Sequence, residues 1–208
     1  MMQCRLDTVE LDNYVSDYEL SEIMSACLYI NTCCSNKKKD VSSLSYIITR
    51  QMSHSDCIKL GIGCEKLFCD IIITKTKTTN IKRQNIKGVK ETDHLFMDTA
   101  NKIIYYAELK ANINLDTEKS QATVNKCLQI VAELQEEYND YEIKWCLLAF
   151  RYTDNDSIPI KFKKKYVNIE HNLFGINQYF EMLGVNIPFT EEKYHMLLNN
   201  IANKMFTD

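Results

Sequence analysis

Two carboxylates and a lysine near the middle of the chain have the types and spacing for phosphodiester chemistry. Fourteen residues separate Asp93 from Glu108, and Lys110 follows Glu108 by two. Side chains alternate along a strand, so Glu108 and Lys110 share a face if the chain is extended there. A short hairpin would bring Asp93 beside them on the neighbouring strand. Paired carboxylates supply the hard oxygen ligands that Mg²⁺ takes, and the cation would relieve their repulsion. A lysine next to them can orient a water and help it lose its proton. The metal would polarise a phosphate and sharpen the same water into a nucleophile. The chemistry implied is hydrolysis of a phosphodiester.

Positioning these residues requires two strands, and the pattern supplies them. Two strand-like runs cover roughly 92–98 and 102–111, with a turn around Thr99–Asn101. A helix of about 116–138 follows, with Val124, Cys127, Leu128, Val131, Leu134 and Tyr138 as its apolar stripe. Residues 143–150 are nearly all apolar, as expected of a buried central strand. Further helices are expected at 16–30, 57–74, 172–183 and 190–205, with a polar loop at 31–45. With two prolines and five glycines, the chain shows no linker-like break and no repeat. The order predicts an α/β or α+β layered domain, a mixed sheet covered by helices.

Neighbouring residues have structural roles to fill. His94 follows Asp93 and should point to the opposite strand face, into the core or behind the site. Asp116 is a natural N-cap, and Glu118 in the first turn suits the helix dipole. Lys119 shares that turn, where a cation is mildly unfavourable, and could face a phosphate instead. No GxSxG points to acyl chemistry, and no GxGxxG or GxxxxGKS loop points to a nucleotide cofactor. Nine cysteines without a CxxC pair read as reduced, mostly buried thiols. His54, Cys57, Cys64 and Cys69 are the nearest approach to a zinc pattern, and Cys64 and Cys69 would face different sides of one helix.

The stretch TDHLFMDTANKIIYYAELK resembles the signature of the PD-(D/E)XK nucleases, with Asp93, Glu108 and Lys110 in the three active positions. Thr92 stands where that signature often has proline. QMSHSDCIKLGIGCEKLFCDII resembles the helix that precedes the active strands in type II restriction endonucleases. ELKANINLDTEKSQAT is similar to their strand-to-helix passage, and FGINQYFEMLG to their last helix. The resemblance touches about 50–185. It is closest to the small enzymes of algal viruses and bacteria that cut short palindromes.

The resemblance implies a restriction-endonuclease-like α/β fold, a three-layer core with a mixed central sheet flanked by helices. It implies one nuclease domain over 1–208, with a helical extension at 1–50, a catalytic core at 51–150 and a helical region at 151–208. Asp93 and Glu108 would ligate Mg²⁺, with the Leu109 main-chain carbonyl as a further ligand. Lys110 would position or activate the attacking water, and cleavage would leave a 5′-phosphate and a 3′-hydroxyl. Glu65 would be the extra helix acid that some members bring near the metal, although by its place on an amphipathic helix it reads first as a surface charge. The activity implied is that of a Mg²⁺-dependent, sequence-specific endonuclease of restriction–modification type on double-stranded DNA. A palindromic site would call for a homodimer. A structure-specific resolvase or repair nuclease of the same fold, or an inactive DNA-binding module, are the alternatives.

The net charge of −3 conceals separated patches. Residues 61–90 carry +5 and 143–165 carry +4, whereas 91–142, with both proposed ligands, carry −7. Lys75, Lys77, Lys82, Arg83, Lys87 and Lys90 form a basic stretch that could follow a DNA backbone. Gln84 and Asn85 within it have the donor–acceptor pair that reads adenine. Lys161 and Lys163–Lys165 form a second block, of which Lys163 and Lys164 are assigned to DNA. Ser- and Asn-rich residues 31–56 are a further source of base contacts. Positive walls should thus flank an acidic, metal-filled centre. No run of 18 apolar residues suggests a membrane span, and no basic-then-apolar start suggests secretion, so a cytoplasmic enzyme is expected.

Overall fold

The computed structural model describes residues 65, 68–83, 89–186 and 190. The expected helices at 16–30 and 190–205, the loop at 31–45, and His54, Cys57, Cys64, Gln84, Asn85 and Lys87 lie outside the described residues, apart from Thr190. Residues 72–185 form one compact unit, which holds every element discussed below; residues 1–71 and 186–208 make up the other.

Five strands form one mixed sheet in chain order: β1 (Thr79–Asn80), β2 (His94–Asp98), β3 (Ile103–Leu109), β4 (Glu142–Leu148) and β5 (Leu173–Phe174). The first three run antiparallel as a meander, and β4 and β5 continue parallel to β3. The β2–β3 hairpin closes at the expected turn, where Asp98 accepts hydrogen bonds from the main chain and side chain of Asn101. A parallel pair cannot be joined by a hairpin, so the chain crosses from β3 to β4 through the long helix α1 (Thr117–Glu137).

Asp116 caps α1 as its position predicts, its side chain accepting from the Lys119 main-chain N–H at 2.8 Å. Glu118 lies in the first turn. The Lys119 ammonium turns back to Asp116 at 3.1 Å, which offsets its unfavourable place at the positive helix end. Val124, Cys127, Val131 and Leu134 are buried, and Ile130 joins them. Leu128 was expected in this stripe but is 44% exposed. Four residues beyond Val124, it has rotated past the edge of the buried arc.

The buried face of α1 meets Leu95, Ile104 and Tyr106 of β2 and β3. Each fully buried side chain of this kind contributes about 1.5–3 kcal/mol. On the opposite sheet face, His94 of β2 meets Tyr179 of α2 (Ile176–Met182). The sheet therefore has a helix on each face, an α/β arrangement compatible with a three-layer core.

The expected helix at 172–183 is two elements. Leu173–Phe174 pair with Leu147–Leu148 as β5, and α2 begins only at Ile176. The apolar pair completes the sheet edge, a long-range gain that local periodicity does not record. Gly175 between them lies so close to the chain that an added Cβ would sit 2.7 Å from the Asp154 carbonyl carbon. Gly175→Ala is expected to cost about 1–3 kcal/mol through this clash with backbone. A thermal melt should show it as a drop of several degrees.

Candidate active site

The register of the hairpin explains why the two carboxylates meet. His94 pairs with Ala107, so one step further Asp93 falls opposite Glu108. Residues directly opposite one another in an antiparallel pair project to the same face. That face also carries Leu95 and Tyr106 and looks toward α1. His94 projects the other way, as expected, and is buried with its Nδ1 at hydrogen-bond distance from the Tyr179 hydroxyl.

Asp93 Oδ2 accepts from the Leu109 main-chain N–H at 2.7 Å, which ties the start of β2 to the end of β3. Glu108 is 2% exposed, yet neither of its oxygens is left unpaired. Lys110 Nζ donates to Oε1 at 2.7 Å, and Lys126 Nζ, from α1, donates to Oε2 at 2.6 Å. Both lysine side chains are about 30% exposed. The Lys110 N–H bonds Leu148 O, so the sheet ladder still holds the backbone at this lysine. The cluster thus sits at the carboxyl ends of the parallel strands β3 and β4, where open α/β sheets bind ligands.

Electrostatics divides the two carboxyls. Burial, reinforced by the neighbouring Glu108 charge, pushes Asp93 up from its ordinary 3.8 to about 6; the Leu109 N–H and the two lysines only partly oppose this. Burial acts against the charge of Glu108 as well. There Lys110 and Lys126 outweigh it and hold the carboxyl below the usual range. Burial would lower Lys110, but Glu108 prevails and holds the ammonium above its ordinary value. Nearby Cys127 is pushed up to about 11, chiefly by burial, so it is a neutral core thiol next to Tyr106. Burial raises the Cys146 thiol well above its ordinary value as well, and Cys69 is in no disulfide.

The donor set fits a hard divalent cation. Mg²⁺ is held by one or two carboxylates while keeping several waters, and Asp93 with Glu108 provides two. Their mutual repulsion, visible in the raised Asp93, is what a cation between them would relieve. Among the described residues no group of three or more His, Cys, Asp or Glu is placed to hold a metal.

Glu65 is helical and half-buried, in the other unit. Arg83, expected along a DNA backbone, has a side chain only 10% exposed that is committed to Glu133 and Glu137 of α1. It acts as a tether of the segment before β2, whose main chain also pairs with Thr92. Lys77 and Lys90 are exposed, Lys90 bonding Gln129, while Lys75 and Lys82 are half-buried. In the second block Lys163 is half-buried and Lys164 exposed. Lys165 instead binds Asn114 and the Leu115 carbonyl, and the Tyr166 hydroxyl binds the Ile113 carbonyl. Together they pin the loop that leaves Lys110.

Lys126 is the residue that sequence reasoning missed. The available signal was its place beside Cys127, at the margin of the α1 stripe. A lysine at such a margin is usually a solvated rim residue. Only the crossover, which lays α1 over the end of β3, turns it toward Glu108.

The sequence matches no protein-family model, no curated protein and no solved structure.

Proposed function

We propose that this protein is a Mg²⁺-dependent DNA endonuclease of the PD-(D/E)XK type, acting on double-stranded DNA in the manner of a type II restriction enzyme. The observation that carries the proposal is the convergence of Asp93, Glu108 and Lys110 at one strand end, in the order and on the face that the motif requires. A bound Mg²⁺ would supply Lewis-acid activation of the phosphate and of a water.

The chain's own residues do the rest. Asp93 and Glu108 provide the negative charge that holds the cation. Lys110 is kept protonated by Glu108, so it serves as a donor that orients the attacking water and steadies charge growing on the phosphate. The water oxygen bonds to phosphorus and releases a proton to solvent as the bond to the 3′-oxygen breaks, and the 3′-oxygen takes a proton from solvent, leaving a 5′-phosphate and a 3′-hydroxyl. Exposed Lys77, Lys90 and Lys164 are available for the DNA backbone. Two copies related by two-fold symmetry would match a palindromic site.

Incubation with phage or plasmid DNA and Mg²⁺ tests this directly. The expected result is a discrete fragment pattern that disappears with chelator. Cleavage confined to branched or damaged DNA would replace the proposal with a structure-specific nuclease. Binding without any cleavage would make the fold a DNA-binding module. Sedimentation of the DNA-free protein should give twice the mass of one chain.

A further inference from the structure

We propose that Lys126 competes with the divalent cation for Glu108 and so sets how tightly the metal is held. The inference rests on the metal site of the proposed function, but on no claim about DNA. It starts from the two oxygens of one buried carboxylate. Oε1 is bonded by Lys110, one residue past the end of β3, and Oε2 by Lys126 from α1.

The two lysines are not equivalent. Lys110 is two residues from Glu108 on one strand face, so the pleat itself places it there. Lys126 reaches across from a separate element, and its ammonium ends a flexible four-carbon stem. With 29% of its side chain in contact with water, it can swing outward without being buried elsewhere.

A metal that took Oε2 would have to share it with the Lys126 ammonium 2.6 Å away. Mg²⁺ binds carboxylate oxygen at about 2.0–2.1 Å. Both cations on one oxygen would lie close together in a poorly solvated site, where like charges repel strongly. Each therefore weakens the other, and by linkage the effect is mutual. Lys126 thus acts as a built-in counter-ion. It keeps Glu108 ionised and correctly turned, and it gives way when the metal is ligated.

Isothermal titration of Mg²⁺ and Mn²⁺ into the full chain, with no DNA present, tests the proposal. Lys126→Gln and Lys126→Met should bind metal at least roughly fivefold tighter than the parent, the lower end of ordinary coupling between two sites. Lys126→Arg retains the charge and should bind no tighter than the parent. Melting each protein with and without Mg²⁺ guards against a folding artefact, since the metal should raise the midpoint of Lys126→Gln more than that of the parent. Unchanged or weaker affinity in the Gln and Met variants overturns the proposal, as does failure of every form to bind metal. Tighter binding in a protein that cuts no DNA would leave the inference standing and end the nuclease proposal alone.

Discussion

Asp93→Asn should abolish cleavage and at the same time stabilise the fold at neutral pH. The activity loss follows from removing a ligand charge. Metal activation is worth several kcal/mol, so a fall of roughly 10³-fold or more is expected. Asparagine keeps an oxygen to accept the Leu109 N–H, so that buried donor is not orphaned. The stability gain follows from the direction of the Asp93 shift.

The folded-state value of about 6 lies above the ordinary 3.8. Below about pH 4 the carboxyl is protonated in both states and contributes nothing. As pH rises toward 6, the unfolded chain ionises first, and the folded state becomes progressively less favoured. Above about pH 6 the full penalty, on the order of 2–3 kcal/mol, is present. Melts of the parent and Asp93→Asn should therefore coincide near pH 4 and diverge by pH 7. Added Mg²⁺ should narrow the gap by stabilising only the parent. Equal midpoints at every pH would refute the electrostatic account, and near-normal cleavage would remove Asp93 from the site.

The second large effect concerns Glu108. Glu108→Ala leaves two half-buried ammonium groups facing each other without their shared counter-ion. Breaking a fully buried pair costs about 3–5 kcal/mol; with both lysines able to reach water, about 2–4 kcal/mol is expected here. For a chain of this size that lowers the melting midpoint by roughly 5–15 °C. Replacing Glu108, Lys110 and Lys126 together with methionine should recover much of the loss, because no unpaired charge remains. The triple variant should be inactive and well folded. If it melts no higher than Glu108→Ala, the damage lies in packing and not in charge.

These contrasts show why a fold and its site can be legible to different degrees. The hairpin was readable because a turn between two extended runs fixes its own register, and that register alone puts Asp93 opposite Glu108. The α1 helix was readable because a capping aspartate and a 3.6-residue stripe are local signals. His94 turned inward by the alternation of a single strand. In each case the determining interactions lie within a few residues, or across one short turn.

What depends on distant partners was not readable. β5 exists because Leu173 and Phe174 meet β4, 26 residues earlier in the chain. Arg83 looked like one more cation in a basic run, yet its partners Glu133 and Glu137 lie 50 and 54 residues away. Lys165 reads as one more cation of a basic block, yet it holds the loop that follows β3.

By itself, the sequence determined which groups could do chemistry and that two of them, Glu108 and Lys110, must share a face. The tertiary structure alone decided their charge states. Those depend on burial and on Lys126, which the crossover helix brings to a carboxylate 18 residues away. Strand alternation is a property of the local backbone, whereas desolvation and ion pairing belong to the packed assembly of elements.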